Sequence, residues 1–212
     1  MGIRTGEDQT VPILEITPEA VHFGFSLQVA CDDPYVDYVT GIQGAATYDD
    51  PDADAPLTLC TVEGVRIDVR TAHSRSVDLE TLFDSLSAEI SDFYHSVFEP
   101  GGTGRLRCGH GTHPAGEVCN VVYVSQLEVH PAARGMGIGS RMMHRLLRAL
   151  DARESLVALK AFPLADDSDR EVTLNREAAV ARVKRFYRKL GFTPVADEFM
   201  VTDARTLAGH PV

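Results

Sequence analysis

The sequence predicts an α/β protein organised around a single core. Three observations carry that prediction. An apolar run from Val121 to Val129 leads through a glycine-rich turn into a helical pattern from Ile138 to Leu150. A second apolar run, Leu156 to Phe162, precedes a second helical pattern at about Asn175 to Leu190. A chain of 212 residues, 44% hydrophobic and 24% charged, is long enough to bury a full core, and no clean linker or internal repeat divides it.

Each element follows from local pattern. Val11 to Ile16 and Val21 to Ala30 are apolar runs separated by Thr17-Pro18, and Phe23, Phe25, Leu27 and Val29 alternate as in a half-buried strand. Asp32 to Pro56 reads as an acidic loop with a short strand around Tyr38 to Ile42. Leu57 to Thr71 reads as one long strand or a hairpin, broken near Glu63-Gly64. Asp78 to Phe98 reads as a single helix, because Leu79, Leu82, Phe83, Leu86, Ile90, Phe93 and Val97 form one stripe. Asp78 would cap it and Pro100-Gly101 would end it. Gly101 to Gly116 follows a helix and lacks the Gly-Lys-Ser/Thr ending of a phosphate loop, so it reads as a flexible connection.

Val118 to Val129 is expected as a long buried strand. Leu156 to Phe162, closed by Pro163, reads as a strand buried on both faces. Another acidic loop follows at Ala165 to Glu171. The last long helix buries Ala179, Val183, Phe186, Tyr187 and Leu190; Arg188 and Lys189 suit its negative end, and Gly191 stops it. Short strands at Phe192 to Val195 and Glu198 to Thr202 complete the chain.

The formal charge of -11 argues against nucleic acid as the main partner and suits a cationic substrate. No apolar stretch approaches the roughly 20 residues that span a bilayer, and Met1 to Thr10 lacks a signal-peptide core. The expectations are no membrane partner and a cytoplasmic location. Cys31, Cys60, Cys108 and Cys119 then read as reduced thiols. Cys108, His110, His113 and Cys119 raise the question of a zinc site, but their spacing fits no standard zinc pattern, and no metal is expected.

The chemistry centres on His130 to Ser140. A strand feeding a glycine-rich turn that opens a helix is suited to hold a phosphate: first-turn N–H groups point at the anion and the helix dipole favours it. A dinucleotide fold would need Gly-x-Gly-x-x-Gly early in a βαβ unit. Here Gly135, Gly137 and Gly139 alternate late in the chain.

Leu127-Glu128-Val129-His130-Pro131, then Arg134-Gly135-Met136-Gly137-Ile138-Gly139, then Phe186-Tyr187-Arg188-Lys189-Leu190-Gly191-Phe192 resemble the GNAT superfamily of acyl-CoA N-acyltransferases. The resemblance covers about Val118 to the C-terminus. It implies a mixed, mostly antiparallel sheet, splayed near its middle, with helices on both faces. The expected organisation is one domain over 1–212, with 1–117 as a divergent acceptor-side half and 118–202 as the acyl-CoA-binding half.

The resemblance also implies roles. Arg134, Gly135, Met136, Gly137, Ile138, Gly139 and Ser140 would form the pyrophosphate loop of coenzyme A. Backbone groups of Leu127 and Val129 would hold the pantetheine arm and polarise the thioester carbonyl. Tyr187 would protonate the leaving thiolate, as a phenol protonated at neutral pH can. Glu128, facing away from Leu127 and Val129, is one candidate base; Glu117, His130 and a water relay are others. Two family positions depart from the pattern: Val180 stands where many members carry Asn, and Val183 where they carry Ala.

The implied reaction is transfer of an acetyl or other acyl group from acetyl-CoA to a primary amine of a small molecule or peptide. A non-catalytic acyl-CoA-binding regulatory module is the alternative, and a homodimer is left open.

Overall fold

The computed structural model describes residue 16 and residues 20–29, 34–49, 55–110, 113–163, 176–196 and 198–209. Its strands are β1 (Val21–Gln28), β2 (Val39–Tyr48), β3 (Leu57–Ile67), β4 (Asn120–Val129), β5 (Ser155–Lys160), β6 (Thr193–Ala196) and β7 (Phe199–Asp203). They form one sheet in the order β1-β2-β3-β4-β5-β7-β6, parallel between β4 and β5 and antiparallel at every other pairing. The helices are α1 (Val69–Ser74), α2 (Leu79–Leu86), α3 (Ala88–Val97), α4 (Ile138–Ala149), α5 (Arg176–Lys189) and α6 (Ala204–Gly209). The mixed α/β architecture with helices on both faces is the one expected.

Two hydrophobic clusters cover the two faces. On one, Val122, Val124 and partly buried Leu127 and Val129 of β4 meet Ile138, Met142 and Leu146 of α4 and Tyr187 and Leu190 at α5. On the other, Val121 and Tyr123 of β4 meet Leu79 and Phe83 of α2 and Phe93 of α3, with Leu156 and Phe199.

Several expectations need correction. The region 78–98 holds two helices, because Ser87 is extended (φ -171) and its side chain accepts from the Ile90 N–H, capping a new helix. The stripe ran across the break without a change of phase, so periodicity alone could not reveal it. The strand expected at Tyr38 to Ile42 extends to Tyr48, and Leu57 to Thr71 is one strand followed by α1, which Asp68 caps through Thr71. The described residues of 101–116 are not a loose connection. Glu99 N–H donates to Arg105 O (2.7 Å), Leu106 N–H to Glu117 O (3.0 Å) and Arg107 N–H to Val97 O (3.0 Å), while Leu106 is buried. The apolar run before Ile16, the acidic loop at 165–171 and Asn175 lie outside the described residues.

The sheet opens at one place. β4 and β5 pair from Asn120/Ser155 to Val124/Leu159. Beyond Val124, the described part of β4 pairs only with β3, while Lys160 pairs with Phe199 of β7. The opening coincides with a bulge. Glu63 lies opposite Gln126 and Gly64 opposite Val124, so Ser125 is the extra residue. The bulge resets the alternation: Leu127 and Val129 rejoin the α4 face, and Gln126 and Glu128 fall on the other.

Candidate active site

The site is built where β4 ends. A 3₁₀ turn at Pro131–Ala133 follows, with His130 Nδ1 accepting from the Ala132 N–H at 3.3 Å. Arg134 Nε donates to the Val129 carbonyl at 3.1 Å, tying the loop back to the strand. Gly135 and Gly137 have φ of 82° and 75°, a backbone region that L side chains enter at a cost. A Cβ at either would meet nothing within 4 Å, so these glycines serve backbone shape and leave open space above the loop.

Gly137 is the N-cap of α4 and no side chain caps that helix. Its first-turn N–H groups, at Ile138, Gly139 and Ser140, thus have no side-chain cap, the arrangement in which a helix start can take an anion. Gly139 serves another purpose. A Cβ there would lie 3.1 Å from Val129 Cγ2 and 3.4 Å from Phe186 Cζ, so glycine lets α4 start against β4 and α5. Ile138 is buried, whereas Met136 is exposed. Arg141 and Arg145 lie over the Phe23 ring, at 5.4 and 5.6 Å.

Tyr187 is buried against Phe186 and Phe192, with ring centroids 5.0 and 5.5 Å away. Burial, and secondarily nearby Cys60, raises its pKa above the ordinary phenol value. Cys60, opposite Val129 on β3, is pushed up to about 12 by burial and by the Glu128 charge. Both groups stay neutral at physiological pH, and Tyr187 keeps the proton that a donor needs.

Glu128 is exposed, on the face away from Leu127 and Val129, and accepts from Gln126 Nε2 at 3.3 Å. The remaining base candidates sit elsewhere. Glu117 precedes β4 and pairs with Arg70 (3.1 Å) and His113 (3.2 Å). It lies about 30 Å of strand from the loop, at roughly 3.3 Å per residue. His130, exposed at the end of β4, caps the 3₁₀ turn through Nδ1. Among the described residues, no group of three or more His, Cys, Asp and Glu side chains is placed to hold a metal; Cys119 is core and His113 faces Glu117.

Sequence reasoning missed the bulge at Ser125 and its partner Gly64. A Cβ on Gly64 would lie 2.3 Å from the Tyr123 carbonyl oxygen. The only available signal was the Glu63-Gly64 break within the stretch that reads as one long strand or a hairpin.

The profile of the acetyltransferase (GNAT) domain family matches residues 90–194, from α3 to β6. The chain belongs to the GNAT superfamily. The match takes in the loop at 134–140, α5 and the open pairing of β4 and β5. No curated protein matches the sequence. Solved structures with a similar trace are distant. The KacTA–DNA complex aligns at TM-score 0.42 and 12% identity, over 88% of this chain and 96% of that one. An AtaT mutant toxin bound to the C-terminus of the antitoxin AtaR and to acetyl-CoA aligns at 0.41 and 9%, over 87% and 95%. Arabidopsis thaliana NAA60 in complex with acetyl-CoA aligns at 0.40 and 12%, over 85% and 95%.

One expectation is corrected by these neighbours. The chain's acidity was read as excluding nucleic acid, yet one neighbour is a complex with DNA. The exclusion fails on physical grounds too: net charge sums over the whole surface, whereas binding answers to the local field. Among the described residues, no helix is long and apolar enough to cross a membrane.

Proposed function

We propose that this GNAT domain transfers an acetyl group from acetyl-CoA to a primary amine of a small molecule or peptide. One observation carries the reading: an uncapped helix start, cradled by two left-handed glycines, sits at the end of a strand that has just parted from its neighbour. The same reading takes residues 1–212 as one domain, with 118–202 as its acyl-CoA half. The free thiols of Cys60, Cys108 and Cys119 are in keeping with a cytoplasmic compartment.

The residues present fit coenzyme A. Open space over Gly135 and Gly137, and the N–H groups at the start of α4, suit a pyrophosphate. The β4 edge at Leu127 and Val129 offers backbone groups to the pantetheine amides, and one N–H there would polarise a carbonyl. When bound, acetyl-CoA supplies a thioester whose acyl carbon accepts the amine nitrogen and whose C–S bond breaks. Glu128 takes the proton that the ammonium gives up. Tyr187 gives its proton to the sulfur and recovers one from solvent. General acid–base help of this kind is worth about 10²–10⁴-fold.

The test is release of coenzyme A thiol from acetyl-CoA across a panel of amines, polyamines, aminoglycosides and peptide N-termini. Turnover with at least one amine is expected. Tight acetyl-CoA binding without turnover anywhere in the panel would favour the non-catalytic module instead.

A further inference from the structure

The chain carries only three lysines: Lys184 and Lys189 lie on α5, and Lys160 ends β5. The other cations among its 20 Lys and Arg residues are arginines, which stay protonated and so cannot attack a thioester. Lys160 stands next beyond the last pair of β4 and β5, Val124 with Leu159, and pairs with Phe199 of β7. Its backbone therefore borders the sheet opening. Its side chain projects to the α3 side, with Nζ 3.8 Å from Glu89 Oε2 and 5.6 Å from the Phe199 ring centroid. That side chain is 33% exposed, so the amine is held beside the opening without being sealed off.

Glu89 is anchored from the opposite strand. The Tyr123 hydroxyl donates to its Oε1 at 2.7 Å, and Tyr123 precedes Val124 on β4. Tyr123, Glu89 and Lys160 thus bridge the two strands just where they part, with one carboxylate oxygen turned to the ammonium. A partly exposed pair at that distance restrains a lysine weakly, and a flexible four-carbon stem lets Nζ swing from Glu89 to the opening.

We propose that Lys160 is a self-acetylation site. The proposal rests on the acyl-transfer reading, which supplies the thioester. Glu89 takes one proton from the Lys160 ammonium, and the neutral Nζ bonds to the acyl carbon as the C–S bond breaks. The sulfur takes the Tyr187 proton, which solvent replaces, and the new amide nitrogen sheds its second proton to solvent. Acetylation removes the charge of Lys160 and with it the ion pair to Glu89.

Peptide mass spectrometry after incubation with acetyl-CoA tests this in wild type, K160R and G137E. In wild type, Lys160 should gain an acetyl group faster than Lys184 and Lys189 by about tenfold or more, since a placed amine reacts without a collision step. The rate per chain should not change on dilution. K160R, which keeps a cation beside Glu89, should bind acetyl-CoA as wild type does and take only the slow label on α5. G137E should lose the Lys160 label. A readout independent of turnover is labelling by an amine-reactive ester, which bound coenzyme A should slow at Lys160. An unlabelled Lys160 in wild type that binds acetyl-CoA and acetylates a free amine would overturn the proposal and leave the acyl-transfer reading standing. Equal labelling of all three lysines, equal Lys160 labelling in G137E, a rate that falls on dilution, or no protection by coenzyme A would also overturn it. Failure of wild type to bind acetyl-CoA would overturn the acyl-transfer reading, and this proposal with it.

Discussion

Gly64→Ala probes the device that opens the sheet. The new Cβ would sit 2.3 Å from the Tyr123 carbonyl oxygen and 3.2 Å from Val124 Cα. The first distance is far inside an ordinary carbon–oxygen contact, and both neighbours are backbone, so no rotamer change relieves it. β3 and β4 must move apart at the bulge. Overpacking of this kind costs roughly 2–3 kcal/mol. For a chain of 212 residues each kcal/mol lowers the melting temperature by about 2–4 °C, which gives a fall of about 4–12 °C. Differential scanning calorimetry reads the shift, and thiol release reads activity at a temperature where the variant stays folded. Activity should fall further than the folded fraction, because the displaced strand carries Leu127 and Val129. A melting point within 1 °C of wild type, with full activity, would refute the claim that the bulge depends on glycine.

Three further outcomes follow from particular contacts. Tyr187→Phe should leave the acetyl-CoA Kd within about twofold and lower kcat by about 10²-fold, measured by calorimetry and thiol release on the same preparation; an unchanged kcat would return Tyr187 to a packing role. Ser87→Ala removes the acceptor for the Ile90 N–H and should cost about 1 kcal/mol in urea unfolding. Alkylation at neutral pH, mapped by mass spectrometry, should modify exposed Cys108 quickly and spare Cys60 and Cys119 until the protein unfolds. Burial raises both protected thiols to about 12, so their thiolates form only near that pH. Equal labelling of all three would contradict the buried placement.

The second half of the chain was legible because its signals are local. The β4 run, the Gly135/Gly137 turn and the α4 and α5 stripes each depend on residues close in sequence, and their bounds emerge within a residue or two. What escaped depends on partners distant in sequence. The bulge at Ser125 is defined only by Gly64 on another strand, and an unbroken apolar run hides it. The full length of β2 is set by pairing with β1 and β3, which outweighs the weak strand preference of Gly41, Gly44 and two alanines. His113, in a stretch that reads as loose, is buried between Glu117 (3.2 Å) and Asp203 (3.9 Å), a contact that no spacing rule announces. The site shows the same division: its loop was readable, whereas Tyr123, Glu89 and Lys160 meet only in the fold.

The central claim is that the turn from β4 into α4 holds acyl-CoA. Calorimetric titration of acetyl-CoA into wild type and Gly137→Glu tests it most directly. Saturable one-site binding is expected in wild type, with none in the variant, because a carboxylate would then fill the space over the loop and repel the pyrophosphate. Absence of acetyl-CoA and coenzyme A binding in wild type, or equal binding in Gly137→Glu, would contradict the account.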